Sequence, residues 1–184
     1  MVATLAVQSL TSSQLVSVQA INQLDLGPIK VKLMEQEEGE GWSVEQVNMA
    51  EKWYKRFLFL CLQYPSVSIV PSKVLDTIWH YHILDTRKYA KDSQDIFGYF
   101  LHHFPYFGMR GEADSRDLVV AFTKTKELFL SEFGEPLNNL QKVFPSTNVE
   151  SSADCDSKSP DCAGGGCGEC TTTLANQSRP VFVG

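Results

Sequence analysis

Ser43 opens the most constraining stretch of the chain. Ser43-x-x-Gln46 has the form of a reciprocal helix cap, in which each side chain satisfies a backbone N–H that the other end leaves open. Val47, Ala50, Tyr54, Phe57, Leu58 and Cys61 follow it. These residues recur at the 3.6-residue period of a helix that buries one side. The spacing predicts a helix from about Val44 to Gln63, ended before Pro65. Such a stripe must be covered by other elements, and the rest of the chain is read for what can cover it.

Thr11-Ser12-Ser13 precedes Leu15, Val18 and Ile21, the pattern of a capped amphipathic helix that stops before Gly27-Pro28. Ile29 to Leu33 alternates apolar and polar residues and runs into the charged Glu35 to Gly41 loop, so an extended or irregular segment is expected. Pro71-Ser72 opens a helix carrying VLDTIWHYHILDTRKYAKD to about Asp92. Gly98 and Pro105 interrupt the aromatic segment IFGYFLHHFPYFG. Asp114 is expected to cap a last long helix with the stripe Leu118, Ala121, Phe122, Thr125, Leu128, Phe129 and Glu132 or Phe133, stopped at Gly134-Glu135-Pro136. The fold class is therefore all-α, a bundle of four to five helices over residues 1–145. Residues 146–184 are rich in Ser, Gly and Cys with few large apolar side chains. They are expected to form a flexible, disordered tail unless a metal or partner orders them, because backbone ordering costs roughly 1–2 kcal/mol per residue.

Composition excludes some functions. A net charge of -6, with 16 Lys and Arg against 22 Asp and Glu, lacks the basic footprint of general nucleic-acid binding. The longest apolar run, Phe57 to Leu62, falls far short of the ~20 residues that cross a bilayer, so no membrane association is expected. The first twenty residues lack a basic leader and compact apolar core. A mature, cytoplasmic chain is the resulting expectation. There is no GxSxG elbow, no GxxxxGK[ST] loop and no GxGxxG turn. Cys61 sits in a helix stripe without basic neighbours and reads as a core residue.

All four histidines fall between His80 and His103. Projected at about 100° per residue, His82 lies within about 60° of Leu75, Ile78, Trp79 and Asp85, whereas His80 lies about 160° away with Lys73, Arg87 and Lys91. His82 is thus expected inside and His80 on a solvated face, near Asp76 four residues upstream. A buried imidazole needs partners for both nitrogens. One reading makes His82, Asp85 and one or both of His102 and His103 a nitrogen and oxygen ligand set for zinc or iron. The other makes His82 a core histidine bonded to Asp85 or a backbone carbonyl. The tail adds Cys155, Cys162, Cys167 and Cys170, four thiols able to close a tetrahedral zinc site, although their spacing matches no standard pair of CxxC knuckles. A solvated appendage, or a segment modified by another enzyme, fits the same residues.

The segments PIKVKLMEQEEGEGWSVEQ, VPSKVLDTIWHYHILDTRKYAKD and GYFLHHFPYFGMRGE together resemble the glycine-rich domain-containing protein-like family over about Pro28 to Pro136. The pairing of WHYHILDT with HHFPYFG carries most of that likeness. The resemblance implies an α-helical domain and brings no biochemical activity with it. It draws attention to His80, His82, Asp85, His102 and His103 as the positions within its strings. Three functions follow as expectations: a domain binding a divalent metal or small ligand through the His/Asp cluster, a module that docks a protein partner while the Gly/Cys-rich tail binds metal or is modified, and a metal-dependent hydrolase or oxygenase. Whether the chain is an enzyme is left open at this level.

Overall fold

The protein is described by a computed structural model covering residues 11–145 and the backbone of Cys167–Cys170. The fold is all-α, as expected, with six α-helices among the described residues. The tail, apart from Cys167–Cys170, lies outside them.

Helix α1 (Ser12–Gln23) begins at a capping box between Thr11 and Gln14. Helix α2 (Gly27–Met34) stands where an extended segment was expected. The apparent alternation misled because only Ile29 and Leu33 are buried, four residues apart, while Val31 is 71% exposed. Pro28 in the first turn also has the φ that starts a helix.

Helix α3 (Val44–Gln63) has the predicted bounds, and both bonds of the Ser43–Gln46 capping box form. Every apolar residue of its predicted stripe is buried, and so are Trp53, Arg56, Phe59 and Leu60. Burial on nearly all sides makes α3 the central element. It packs against α1, α2, α4 and α6.

The predicted helix across residues 73–92 is two helices, α4 (Lys73–Leu84) and α5 (Thr86–Phe97). Asp85 leaves helical dihedrals at φ -80°, ψ 71°, and its carboxylate accepts from Lys88 N. An Asx residue followed by Thr can thus stop one helix and start another. Gly98 closes α5 in the left-handed region. The aromatic segment then forms strand β1 (His103–Phe107), paired antiparallel with β2 (Cys167–Cys170).

Helix α6 (Glu112–Phe133) starts two residues earlier than its expected cap, with Gly111 at the N-cap. Asp114 acts inside the first turn instead. Its carboxylate accepts from Gly108 N at 2.7 Å and Arg110 N at 3.1 Å, and binds the Arg110 guanidinium. The stripe Leu118, Phe122, Thr125, Leu128, Phe129 is buried, with Ala121 half-buried. Gly134 ends the helix, and a 3-10 helix, η1 (Leu137–Lys142), buries Leu137 and Leu140.

Glu135 ties this last part to α3. It accepts from Arg56 Nη2 at 2.8 Å and from Lys52 Nζ at 3.2 Å. The hydrogen bond from Arg56 is the main cause that holds its carboxyl down at about 2. A carboxylate with a depressed folded pKa stabilises above its unfolded value of 4.5 and loses that contribution as pH falls toward 2. Glu135→Gln is therefore expected to lower stability at pH 7 by about 1 kcal/mol, a modest figure because solvent screens a partly exposed pair. The gap between variant and wild type should close between pH 4.5 and 2, as read by thermal melts across that range. A gap independent of pH would contradict the ion-pair account.

Gly108 follows β1 at φ +90°, and a Cβ there would sit 2.4 Å from Leu118 Cδ2. Gly108→Ala combines a disfavoured backbone with a clash, so a loss of about 1–3 kcal/mol is expected in urea unfolding.

Candidate metal centre

His82 occupies the interior, as its helical position predicts, with 1% of its surface exposed. Its Nδ1 lies 3.0 Å from the Tyr54 hydroxyl on α3, and its Nε2 lies 3.0 Å from Asp92 Oδ2 on α5. Asp92 is in turn paired with Lys88 at 2.8 Å. Both ring nitrogens are thereby occupied. Burial is the chief influence on this imidazole and pushes its pKa down, against the opposing pull of Asp92. Asp85, expected beside it, is exposed and serves as the cap between α4 and α5.

His102 is exposed, its ring packed against Phe100 at 5.0 Å. His103, the first residue of β1, points elsewhere. Its side chain is 9% exposed, and its ring stacks on Trp79 with centroids 4.5 Å apart.

The carboxylate and imidazoles that converge are Asp76, His80 and His103, whose ligand atoms all lie within 4.8 Å of one another. His80 Nε2 and His103 Nε2 are 2.5 Å apart, and His103 Nε2 is 3.4 Å from Asp76 Oδ1. His80 Nδ1 is 3.7 Å from Asp76 Oδ2. Asp76 and His80 stand one turn apart on α4, so their side chains lie on the same strip of the helix. The structure thus joins His103 of the predicted set to two residues outside it, and leaves His82, Asp85 and His102 elsewhere. Cys155 and Cys162 lie outside the described residues, while Cys167 and Cys170 form part of β2.

Two imidazole nitrogens this close require that one present a proton and the other a lone pair, or that both lone pairs face a cation. Burial lowers the pKa of His80. Burial, followed by repulsion from His80, brings His103 down to about 4. Both rings are therefore neutral at pH 7, the form that ligates metal. A carboxylate beside two neutral imidazoles is a donor set suited to zinc or ferrous iron. Two ligands on one zinc at bonds of ~2.0–2.1 Å and tetrahedral angles sit about 3.3 Å apart, so the rings would open by less than about 1 Å. His80, 45% exposed, has room to make that movement.

The sequence projection put His80 among lysines and arginines because it carried the helix on through Asp85. The signal in the sequence is the Ser72-x3-Asp76-x3-His80 spacing, three polar residues at one-turn intervals that begin at the N-cap of α4. Ser72 is fully buried, and Asp76 is 8% exposed.

The chain belongs to the UCP032817-like family, whose pattern matches residues 18–124. Comparison with curated proteins and with solved structures gave no match. The family segment includes α3, α4, α5 and β1, and hence all three converging residues.

The two helix histidines have opposite structural duties. Replacing His82 with Ala leaves a void and removes the bonds that its ring makes to the Tyr54 hydroxyl and Asp92, so His82→Ala should cost about 2–4 kcal/mol in denaturant unfolding of the metal-free protein. His80→Ala should stay within about 0.5 kcal/mol of wild type, as changes at half-exposed positions usually do. Equal losses would contradict the assignment of His82 as the buried link.

Proposed function

We propose that this member of the UCP032817-like family is a helical domain that binds one divalent metal ion, zinc or ferrous iron, through Asp76, His80 and His103. The observation that supports it is the convergence of a nearly buried carboxylate and two neutral imidazoles from two separate elements, α4 and β1. A core that merely packed would have little reason to bring three polar side chains together beside Trp79, since desolvating polar groups is costly unless they are paired.

The strings that carry the resemblance to glycine-rich domain-containing proteins include the three proposed ligands. The segment VPSKVLDTIWHYHILDTRKYAKD contains Asp76 and His80, and the string HHFPYFG contains His103. On this view residues 1–145 are the metal-binding unit, of cytoplasmic location, and the Ser/Gly/Cys-rich remainder is appended to it. No helix among the described residues is long and apolar enough to cross a membrane. Three protein ligands leave a coordination position for water or a small ligand, as catalytic zinc and 2-His-1-carboxylate iron sites do.

Protein purified without a His tag should bind about one equivalent of zinc or ferrous iron by titration calorimetry. His80→Ala and His103→Ala should abolish that binding, while His80→Ala keeps its fold by circular dichroism. Affinity should weaken as pH falls, because protons compete for the imidazoles. Metal at a hundredfold excess over Kd should raise stability by about 2.7 kcal/mol through mass action. Unchanged stoichiometry in both variants would overturn the proposal.

A further inference from the structure

A cavity of about 290 Å³ opens between α1 and α5, lined by none of the three residues of the metal centre. Ligand sites typically start near ~300 Å³, so a molecule of a few heavy atoms suits it. Its apolar wall is made by Leu24 and Ile96, both buried, with Ala20 half-buried beside them. The opposing polar wall comes from α5, where Lys88, Lys91, Asp92 and Asp95 recur at three- and four-residue spacing and so share one side of the helix. Asp25, just beyond the end of α1, stands exposed at the rim.

The hydrogen bonds on this wall are unevenly shared. Lys88 Nζ lies 2.8 Å from Asp92 Oδ2, and Lys91 is paired with Asp95 Oδ2. The same Asp92 oxygen meets His82 Nε2 at 3.0 Å. Asp92 Oδ1 therefore has no hydrogen-bond partner among the described residues. Asp25 Oδ1 accepts from Gly27 N at 2.8 Å, which leaves its Oδ2 open in the same way. With three carboxylates and two lysines around it, both lysines already paired, the cavity carries one negative charge in excess and offers open acceptors to a cation.

From this combination of apolar wall and open carboxylate oxygens we propose that the cavity binds a protonated primary amine with a short aliphatic chain. The chain lies against Leu24 and Ile96, and the ammonium donates to Asp92 Oδ1 and Asp25 Oδ2 in charge-assisted hydrogen bonds. A metal ion would leave the apolar wall unused. Among the described residues, moreover, the carboxylates and imidazoles that converge as ligands are Asp76, His80 and His103. An anion would have to break an existing ion pair and face three carboxylates. Asp92 gives one oxygen to His82 and Lys88 and the other to the ligand, so binding leaves the buried link of α4 intact. This site stands independently of the metal-binding reading.

The test titrates n-butylammonium chloride, n-butanol and sodium butyrate separately into the full-length chain and follows backbone amide signals by NMR. The ammonium should give saturable shifts centred on residues 20–25 and 88–96, and the alcohol and the carboxylate should give none at equal concentration. Asp25→Asn keeps an acceptor for Gly27 N and removes one charge, so affinity should fall by about two- to fivefold, as loss of a partly exposed ion pair does. Ala20→Phe fills the cavity and should abolish the response, with thermal melts checking that the variant folds. Asp25→Asn decides the matter if it does not. Equal responses to butanol and butylammonium would overturn the charge assignment. No saturable shift in wild type, or affinity unchanged in Asp25→Asn, would overturn the site.

Discussion

One buried imidazole holds the arrangement together. His82 of α4 reaches Tyr54 of α3 through Nδ1 and Asp92 of α5 through Nε2, so three helices share a single hydrogen-bonded ring. Leaving either nitrogen unpaired in that interior would cost about 1–3 kcal/mol, which discourages α4 from rotating about its axis or sliding along α3. Its orientation fixed in this way, α4 presents Asp76 and His80 toward β1 and keeps Ile78 and Trp79 in the core.

Trp79 completes the placement of the centre. Its indole N–H donates to the Tyr89 hydroxyl at 2.9 Å, and Tyr89 in turn donates to Leu101 O at 2.5 Å. That chain of bonds anchors the segment leading into β1. The face of the same indole supports the His103 ring. One residue thus links the return of the chain after α5 to the position of an imidazole 24 residues later in sequence, and stacking of this kind adds to the burial it already provides.

The break at Asp85 makes the juxtaposition possible. Had α4 run on through residue 92, Arg87 and Lys91 would share the strip of His80. Instead, α5 leaves in a new direction, and Lys88 and Asp92 fold back over His82. Pairing of β1 with β2 then brings the backbone of Cys167–Cys170, distant in sequence, alongside the strand that carries His103.

What the amino-acid sequence determined by itself is local. The Thr11 and Ser43 caps, the ends of α3, the stop at Gly134 and the burial of His82 all follow from interactions within about one helical turn, and each was legible from residue type and spacing. Even the errors were local near-misses: the alternation at Ile29–Leu33 is compatible with two periods over so few residues, and Asp85 can either continue a helix or cap the next one. Only the tertiary structure decided which polar residues meet. His80 and His103 are 23 residues apart and on different elements, and nothing in the spacing of either string specifies the turn that brings their rings within 4.6 Å. The physical reason is that such a contact is set by packing of α4 against α3 and α5, whose net preference is a sum over many distant side chains rather than a period in any one segment.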